Sequence, residues 1–346
     1  ASARRSASSA AASASASRPS DIALTEMEPY ARARSARTES SGDIGSAAES
    51  GQRAVETARG LELPPTEWTR LLNNAGVLFT AAARPAEALS FLDEAYAIRL
   101  REFGERNPRT LHTATHRGDA LRKASRADEA VAALERVIEL TSPRANETGD
   151  ALALHRQNAL RFIGPAYLRR GRDGDRERAL QASELGVETW FGTNLNSVDR
   201  LGGAVRSLTD SLIADMDAPS AAARLRAVAD RASEISGRPE AAALVRAIAA
   251  RRLMEDRHPR DAWMSFTDVA TCRADRTLLI ESYGAQSDAA FEGELTLLRA
   301  LERSDDPALL AEGAALRASL TERTDAGFGA VSGRSRQIER MRPKAR

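Results

Sequence analysis

The chain has 346 residues, 42% of them hydrophobic but only 4% aromatic, and its 50 Lys and Arg against 49 Asp and Glu leave a net charge of +1. That balance argues against a chain built to coat nucleic acid or another polyanion, and the single cysteine, Cys272, excludes a disulfide framework and a cysteine-built zinc site. No apolar run approaches the roughly 18 residues that span a membrane, and much of the apolar content is alanine, which packs helices closely and makes poor sheets.

Residues 1–20 are a low-complexity Ala, Ser and Arg tract with Pro19 near its end. It has too little to bury to offset the entropy of ordering, so a disordered linker or leader is expected. The chain opens on Ala1 rather than Met. It reads as a processed or excised piece, with a cytoplasmic or a periplasmic or exported location equally open.

From Asp21 apolar residues recur three and four apart with no strand-like alternation, which predicts helix after helix. Pro64-Pro65, Pro85, Gly104 with Pro108, Pro143, Gly171 with Gly174, Pro219, Gly237 with Pro239, Pro259, Gly284 and Pro307 divide the chain at helix-hairpin intervals. Asp306-Pro307 is an N-cap followed by Pro at the first helical position. Gly237 followed by Pro239 ends one helix and opens the next.

A repeat lies inside this pattern. Gly76 recurs as Gly118, Phe79 as Leu121, Ala88 as Ala130, Leu92 as Leu134 and Ala95 as Val137, all at an offset of 42 residues, and "RPAEA" lies over "RADEA". Glycine is unfavourable inside a helix, so its return at Gly118 predicts close approach of a partner helix. Ala88 and Ala130 are expected to face the glycines, and Phe79, Leu92, Leu121 and Leu134 to fill the remaining space. A third unit follows with Gly164, Tyr167 and Gly171, now 46 residues after Gly118 because of a longer loop through Thr141–Asp150. Ser46–Arg59 reads as the second helix of a preceding half-unit.

Beyond Trp190 the pattern fades. Amphipathic helices are still predicted around Val205–Ile213, Leu225–Ile235, Leu244–Leu253, Trp263–Val269, Leu295–Leu301 and Leu309–Leu320. Degenerate repeats on the same solenoid are expected, a separate C-terminal helical bundle being the competing arrangement. The domains expected are therefore the linker 1–20, repeats over 21–195 that are clearest over 68–188, the degenerate repeats or bundle 196–330, and a basic disordered tail 331–346.

The order small, large, small, large, small at Gly76, Phe79, Ala88, Leu92 and Ala95 resembles the tetratricopeptide repeat. The 42-residue spacing, with Leu72-Asn73-Asn74, Phe103-Gly104 and Asn107-Pro108, is similar to the variety typified by kinesin light chains. The later units keep the packing residues and lose the Asn-Asn pair. The resemblance implies an all-α fold, a right-handed α-solenoid of antiparallel helix hairpins, with the first helix of each unit lining a concave groove. Carried over by position, the groove residues are Arg70, Asn73 and Asn74 in the first unit. The second unit contributes His112, Thr115, His116, Asp119, Arg122 and Lys123, and the third Asn158, Arg161 and Arg169. In the kinesin-type family such asparagines hold the backbone of an extended peptide, and an amide can donate and accept at once. The set is net basic, which favours an acidic peptide or a free carboxylate.

Other candidates read as structural. His112 and His116, four apart, share a helix face as a metal pair would. "HTATH" lacks the glutamate of the zinc-protease motif, and only His155 in the next unit offers a third ligand, so the pair reads as solvated or groove-facing. Asp173, Asp175 and Glu177 around Gly174 read as a solvated turn rather than a calcium loop. Cys272 reads as a buried or idle thiol. No GxGxxG, GxxxxGK[ST] or GxSxG is present, so no catalytic residue, metal or cofactor is expected. The function expected is a non-enzymatic scaffold that binds a peptide or partner protein. The alternative is the sensor or regulatory region of a larger signalling protein, such as the repeat region of a bacterial Ser/Thr kinase, with any catalytic activity outside this chain.

Overall fold

The structure, a computed structural model, describes residues 44–143, 152–192, 198–255, 266–328 and 333–341. The 1–20 tract, most of the long loop before the third unit and Trp263 lie outside the described residues. Every regular element among the described residues is a helix. The first unit and its forerunner comprise α1 Ile44–Ala58, α2 Pro65–Ala81 and α3 Pro85–Phe103. The second and third units are α4 Pro108–Lys123 with α5 Ala127–Thr141, and α6 Ala153–Arg170 with α7 Asp175–Phe191. Then follow α8 Val198–Asp215, α9 Ala218–Ser236, α10 Pro239–Glu255, α11 Val269–Tyr283, α12 Asp288–Glu302, α13 Pro307–Phe328 and α14 Gly333–Arg340.

Local chemistry sets the boundaries. Pro65, Pro85 and Pro108 open their helices, where a missing N–H costs nothing. The Asn107 side chain caps α4 by accepting the Arg109 N–H at 2.9 Å, and Asp217, Asp268 and Ser287 cap α9, α11 and α12 in the same way. The tight turn inside each early unit places Ala83, Ser125 and Gly171 in the left-handed region, with φ of 60°, 63° and 68°. These three positions keep the repeat offset, and only the third has the residue that adopts this conformation without strain.

The turn between units recurs as well. Gly104 (φ 79°, ψ 169°) ends α3 three residues before the Asn107 cap, and Gly284 (φ 83°, ψ 150°) ends α11 three residues before the Ser287 cap. That backbone region is open essentially to glycine alone. Gly104→Ala and Gly284→Ala are each expected to destabilise the fold by about 1–3 kcal/mol, read as a lower urea midpoint. An unchanged midpoint would mean that the turn relaxes.

Packing follows the glycines. A Cβ on Gly76 would lie 2.5 Å from Leu92 Cγ and 3.1 Å from the Ala88 carbonyl oxygen, and one on Gly118 would lie 2.6 Å from Leu134 Cγ. Phe79, Leu92, Leu121 and Leu134 are fully buried in one core that also holds Ala88 and Ala130. In the third unit the space beside Gly164 is filled by hydroxyls instead: a Cβ there would meet Ser183 Oγ at 2.5 Å and Ser207 Oγ at 2.6 Å. Ser183 pairs with Ser207 at 2.8 Å and with Ser211 at 3.0 Å. The leucine of the earlier units has been exchanged for a buried, mutually satisfied serine cluster.

Helices pack in consecutive antiparallel pairs, α2 with α3 through α12 with α13, and α1 packs on α2 as the lone second helix expected before the first unit. The first helices also touch one another in an unbroken series, α2 on α4, α4 on α6, α6 on α8, α8 on α10 and α10 on α12. The second helices make no contacts of comparable extent with one another. A stack whose elements are closer on one side curves toward that side, so the first helices form the concave face. The fold is an all-α solenoid of antiparallel helix hairpins.

The C-terminal segment differs from expectation. Within the expected basic tail 331–346, residues 333–340 form α14, which packs on α13. Ile338 and Met341 are buried with Phe291, Leu295, Leu298 and Leu320, while Arg334 donates to the Gln286 carbonyl at 2.9 Å and to Asp288 Oδ1 at 2.8 Å. The arginine count had hidden an apolar pair at i, i+3 that closes the end of the core. Residues 331–332 and 342–346 lie outside the described residues.

Candidate binding groove on the first-helix row

A first helix in this array is flanked by the preceding and following first helices and backed by second helices, so only a narrow stripe is left open. The stripe sorts the candidate residues. Arg70, Lys123 and Arg169 are exposed, and Asn74, His112, His116, Arg122, Asn158 and Arg161 are partly exposed. Asn73, Thr115 and Asp119 are buried, which corrects their placement as groove contacts.

Each buried residue has a structural partner. Asn73 Oδ1 accepts from Thr113 Oγ1 at 3.0 Å, and Thr113 Oγ1 accepts from Arg99 Nη1 at 2.6 Å. Arg99 also donates to the Arg109 carbonyl at 2.8 Å and the Thr69 carbonyl at 3.1 Å, joining α2, α3 and α4. It is only 4% exposed. Burial, followed by the charge of Arg109, pulls its guanidinium down to about 10. Thr115 Oγ1 donates back to the Leu111 carbonyl at 2.8 Å. Asp119 lies between Arg122, at 2.6 Å, and Lys123, at 3.3 Å. The sequence reading missed Arg99 and Thr113. The signal was present: Arg99 continues the buried stripe of Leu92 and Ala95, where an arginine is out of place unless it is bonded.

The basic side chains along the stripe also staple successive units. Lys123 Nζ, in the last turn of α4, donates to the Thr80 carbonyl in the last turn of α2 at 3.2 Å. Arg169, in the last turn of α6, donates to Ser125 Oγ beyond the end of α4 at 2.9 Å. Cations at helix C-termini are favoured by the carbonyl ends of the dipole. The Arg161 guanidinium lies 4.4 Å from the Phe162 ring centroid, and Gly203 on α8 leaves the room its stem occupies. Within the candidate set, Arg70, Arg122, Lys123, Arg161 and Arg169 face a single carboxylate, Asp119. That set is therefore net basic and carries amides at Asn74 and Asn158.

Three histidines meet at the N-terminal end of this face. His112 Nε2 and His116 Nε2 are 3.3 Å apart, with ring centroids at 4.5 Å, and the His155 ring on α6 stands 6.3 Å from that of His112. Burial pushes His155 below the usual histidine range, and its Nδ1 is buried without a hydrogen-bond partner.

Farther along, the row is crossed by charge pairs absent from the sequence-based site. Glu292 on α12 is buried and accepts from Arg206 on α8 at 2.7 Å and from Arg251 on α10 at 2.8 Å. Burial acts to raise this carboxyl, but the two arginines outweigh it and hold it below the ordinary glutamate value. Glu294, also buried, pairs with Arg276 at 3.3 Å and Arg323 at 2.8 Å. Two glutamates inside the apolar run "FEGELTLL" were the available signal. Asp175, expected in a solvated turn, is instead buried at the start of α7. It accepts from Arg170 at 2.6 Å and from the Arg172 N–H at 2.9 Å. Cys272 is buried, and burial pushes its thiol up to about 11, the state of an inert packing residue.

Comparison with known proteins bears on these helices. A family profile described as the tetratricopeptide repeat matches residues 69–142. No curated protein matches the chain. Two solved structures similar to the chain come from Podosopora anserina, both described as a putative kinesin light chain with nearly identical TPR-like repeats. One, a single-substitution form, is 17% identical with a TM-score of 0.43, covering 63% of this chain and 94% of its own. The other is 18% identical with a TM-score of 0.42, covering 69% and 98%. Tetratricopeptide repeats are in general protein–protein interaction modules. With the 42-residue packing register, the profile match and the hairpin stack all on the same helices, residues 69–142 carry the tetratricopeptide-repeat pattern.

Proposed function

We propose that the protein is a non-catalytic scaffold that holds an extended acidic segment of a partner protein along its first-helix row. One observation supports this reading: on the first helices α2, α4 and α6, Arg70, Lys123 and Arg169 are exposed and the amides of Asn74 and Asn158 partly exposed. Amides suit the alternating donors and acceptors of a peptide backbone. Guanidinium and ammonium groups suit its carboxylates, adding strength and partner discrimination. Because α8, α10 and α12 extend the same row, we infer that one scaffold runs through to α13. Its later part is stiffened by the Glu292 and Glu294 pairs.

The test uses the full chain as bait, with proteins identified by mass spectrometry. Arg70→Glu with Arg169→Glu places two acidic groups on the open stripe without touching the buried core. The wild-type chain is expected to retain a partner that the double variant loses at least tenfold, with unchanged circular dichroism. Equal retention by a folded variant would remove the groove from the account.

A further inference from the structure

We propose that His112, His116 and His155 bind one divalent d-block cation of the zinc or nickel kind, and that the ion clamps α4 to α6. Three of the chain's four histidines stand together here, drawn from two neighbouring units. Imidazole nitrogens bind zinc at about 2.0–2.1 Å, which in a tetrahedral site places two ligand nitrogens about 3.3–3.4 Å apart. His112 Nε2 and His116 Nε2 are 3.3 Å apart. An i, i+4 spacing on one helix face brings this about without distortion.

His155 contributes the second observation. Its Nδ1 is buried and has no hydrogen-bond partner, an arrangement that costs free energy unless a ligand relieves it. Imidazoles on one tetrahedral ion at about 2.0–2.1 Å have ring centres about 5 Å apart, and His155 stands 6.3 Å from His112. It must therefore approach by about an ångström on the geometry of such a site. That gap is why no three-ligand set stands ready among the described residues. Ring rotation closes part of it and a small shift of α6 toward α4 the remainder. An all-imidazole set selects zinc, nickel or copper and rejects magnesium and calcium, which require oxygen ligands. Water fills the remaining position. A plain hydrogen bond between His112 and His116 accounts for the same 3.3 Å separation, so the two must be told apart by experiment.

The experiment is isothermal titration of the chelator-stripped full chain with zinc chloride, and separately with magnesium chloride. One zinc per chain is expected, with no heat from magnesium. His112→Gln or His116→Gln should weaken zinc at least tenfold, and His155→Gln at least fivefold. Absence of zinc binding overturns the proposal, as does binding that His112→Gln and His116→Gln leave intact. Affinity indifferent to His155→Gln overturns the clamp between α4 and α6. X-ray absorption of the zinc-loaded wild-type chain gives a reading independent of variant folding. Three imidazole nitrogens support the site, and fewer than three sink it.

Discussion

Glu292→Gln is expected to destabilise the protein by about 3–5 kcal/mol at pH 7. Glu292 is 7% exposed and accepts from Arg206 on α8 and Arg251 on α10, so one carboxylate ties three first helices together. The amide keeps the shape and loses the charge, so the partly buried Arg251 guanidinium loses the Glu292 carboxylate as a partner. Arg206 has a 42% exposed side chain and can turn to water, which places the expected cost toward the lower end of that range. The pH dependence has a definite sign. The folded-state pKa of Glu292 is depressed. Its contribution is therefore present above the unfolded glutamate value of about 4.3 and is lost as pH falls through the lower folded value. Urea unfolding of wild type and variant should differ most at pH 7, and the difference should shrink as pH falls below about 4.3. Equal stability at pH 7 would show that the pair contributes nothing.

The second large effect lies at the repeated contact between Gly118 and Leu134. Leu134→Ala should cost about 2–5 kcal/mol, since it removes a fully buried side chain and leaves a cavity. Gly118→Ala should cost about 1–3 kcal/mol, because the new Cβ would lie 2.6 Å from Leu134 Cγ. The two changes affect the same space. In the double variant the methyl introduced at position 118 enters the volume that Leu134 vacated, so the combined loss should fall short of additivity by at least about 1 kcal/mol. A double-mutant cycle from chemical denaturation measures this. Additive losses would mean that the glycine serves the helix backbone and not the contact. The same cycle at Gly76 and Leu92 should give the same sign, because the two contacts are repeat equivalents.

Much of the architecture was legible in the chain. The 42-residue offset of Gly76 with Gly118 and Leu92 with Leu134 predicted the helix hairpin and its close approach, and both contacts are present. Proline and glycine spacing predicted the starts of α2, α3 and α4. One available signal went unread: Tyr283-Gly284 followed by Ser287 repeats the logic of Phe103-Gly104 followed by Asn107. That turn marks the repeat geometry far into the region where the core consensus has faded. The site was less legible. Register assigns a residue to a first helix, but exposure depends on how tightly the next first helix packs beside it. Asn73 and Asn74 are adjacent in sequence, yet one is bonded inside the array and the other reaches the stripe.

The opening of α4 shows where the boundary lies. By itself the sequence determined that Gly104 and Pro108 make a turn and that His112 and His116 share one face, because backbone sterics and helical periodicity act over a few residues. Only the tertiary structure decided that His155, 39 residues beyond His116, comes alongside. It also decided that Arg99 bridges three helices and that Glu292 gathers two distant arginines. Those pairings depend on how successive hairpins stack, and stacking sums many small packing terms along the whole array that no local stretch of sequence contains.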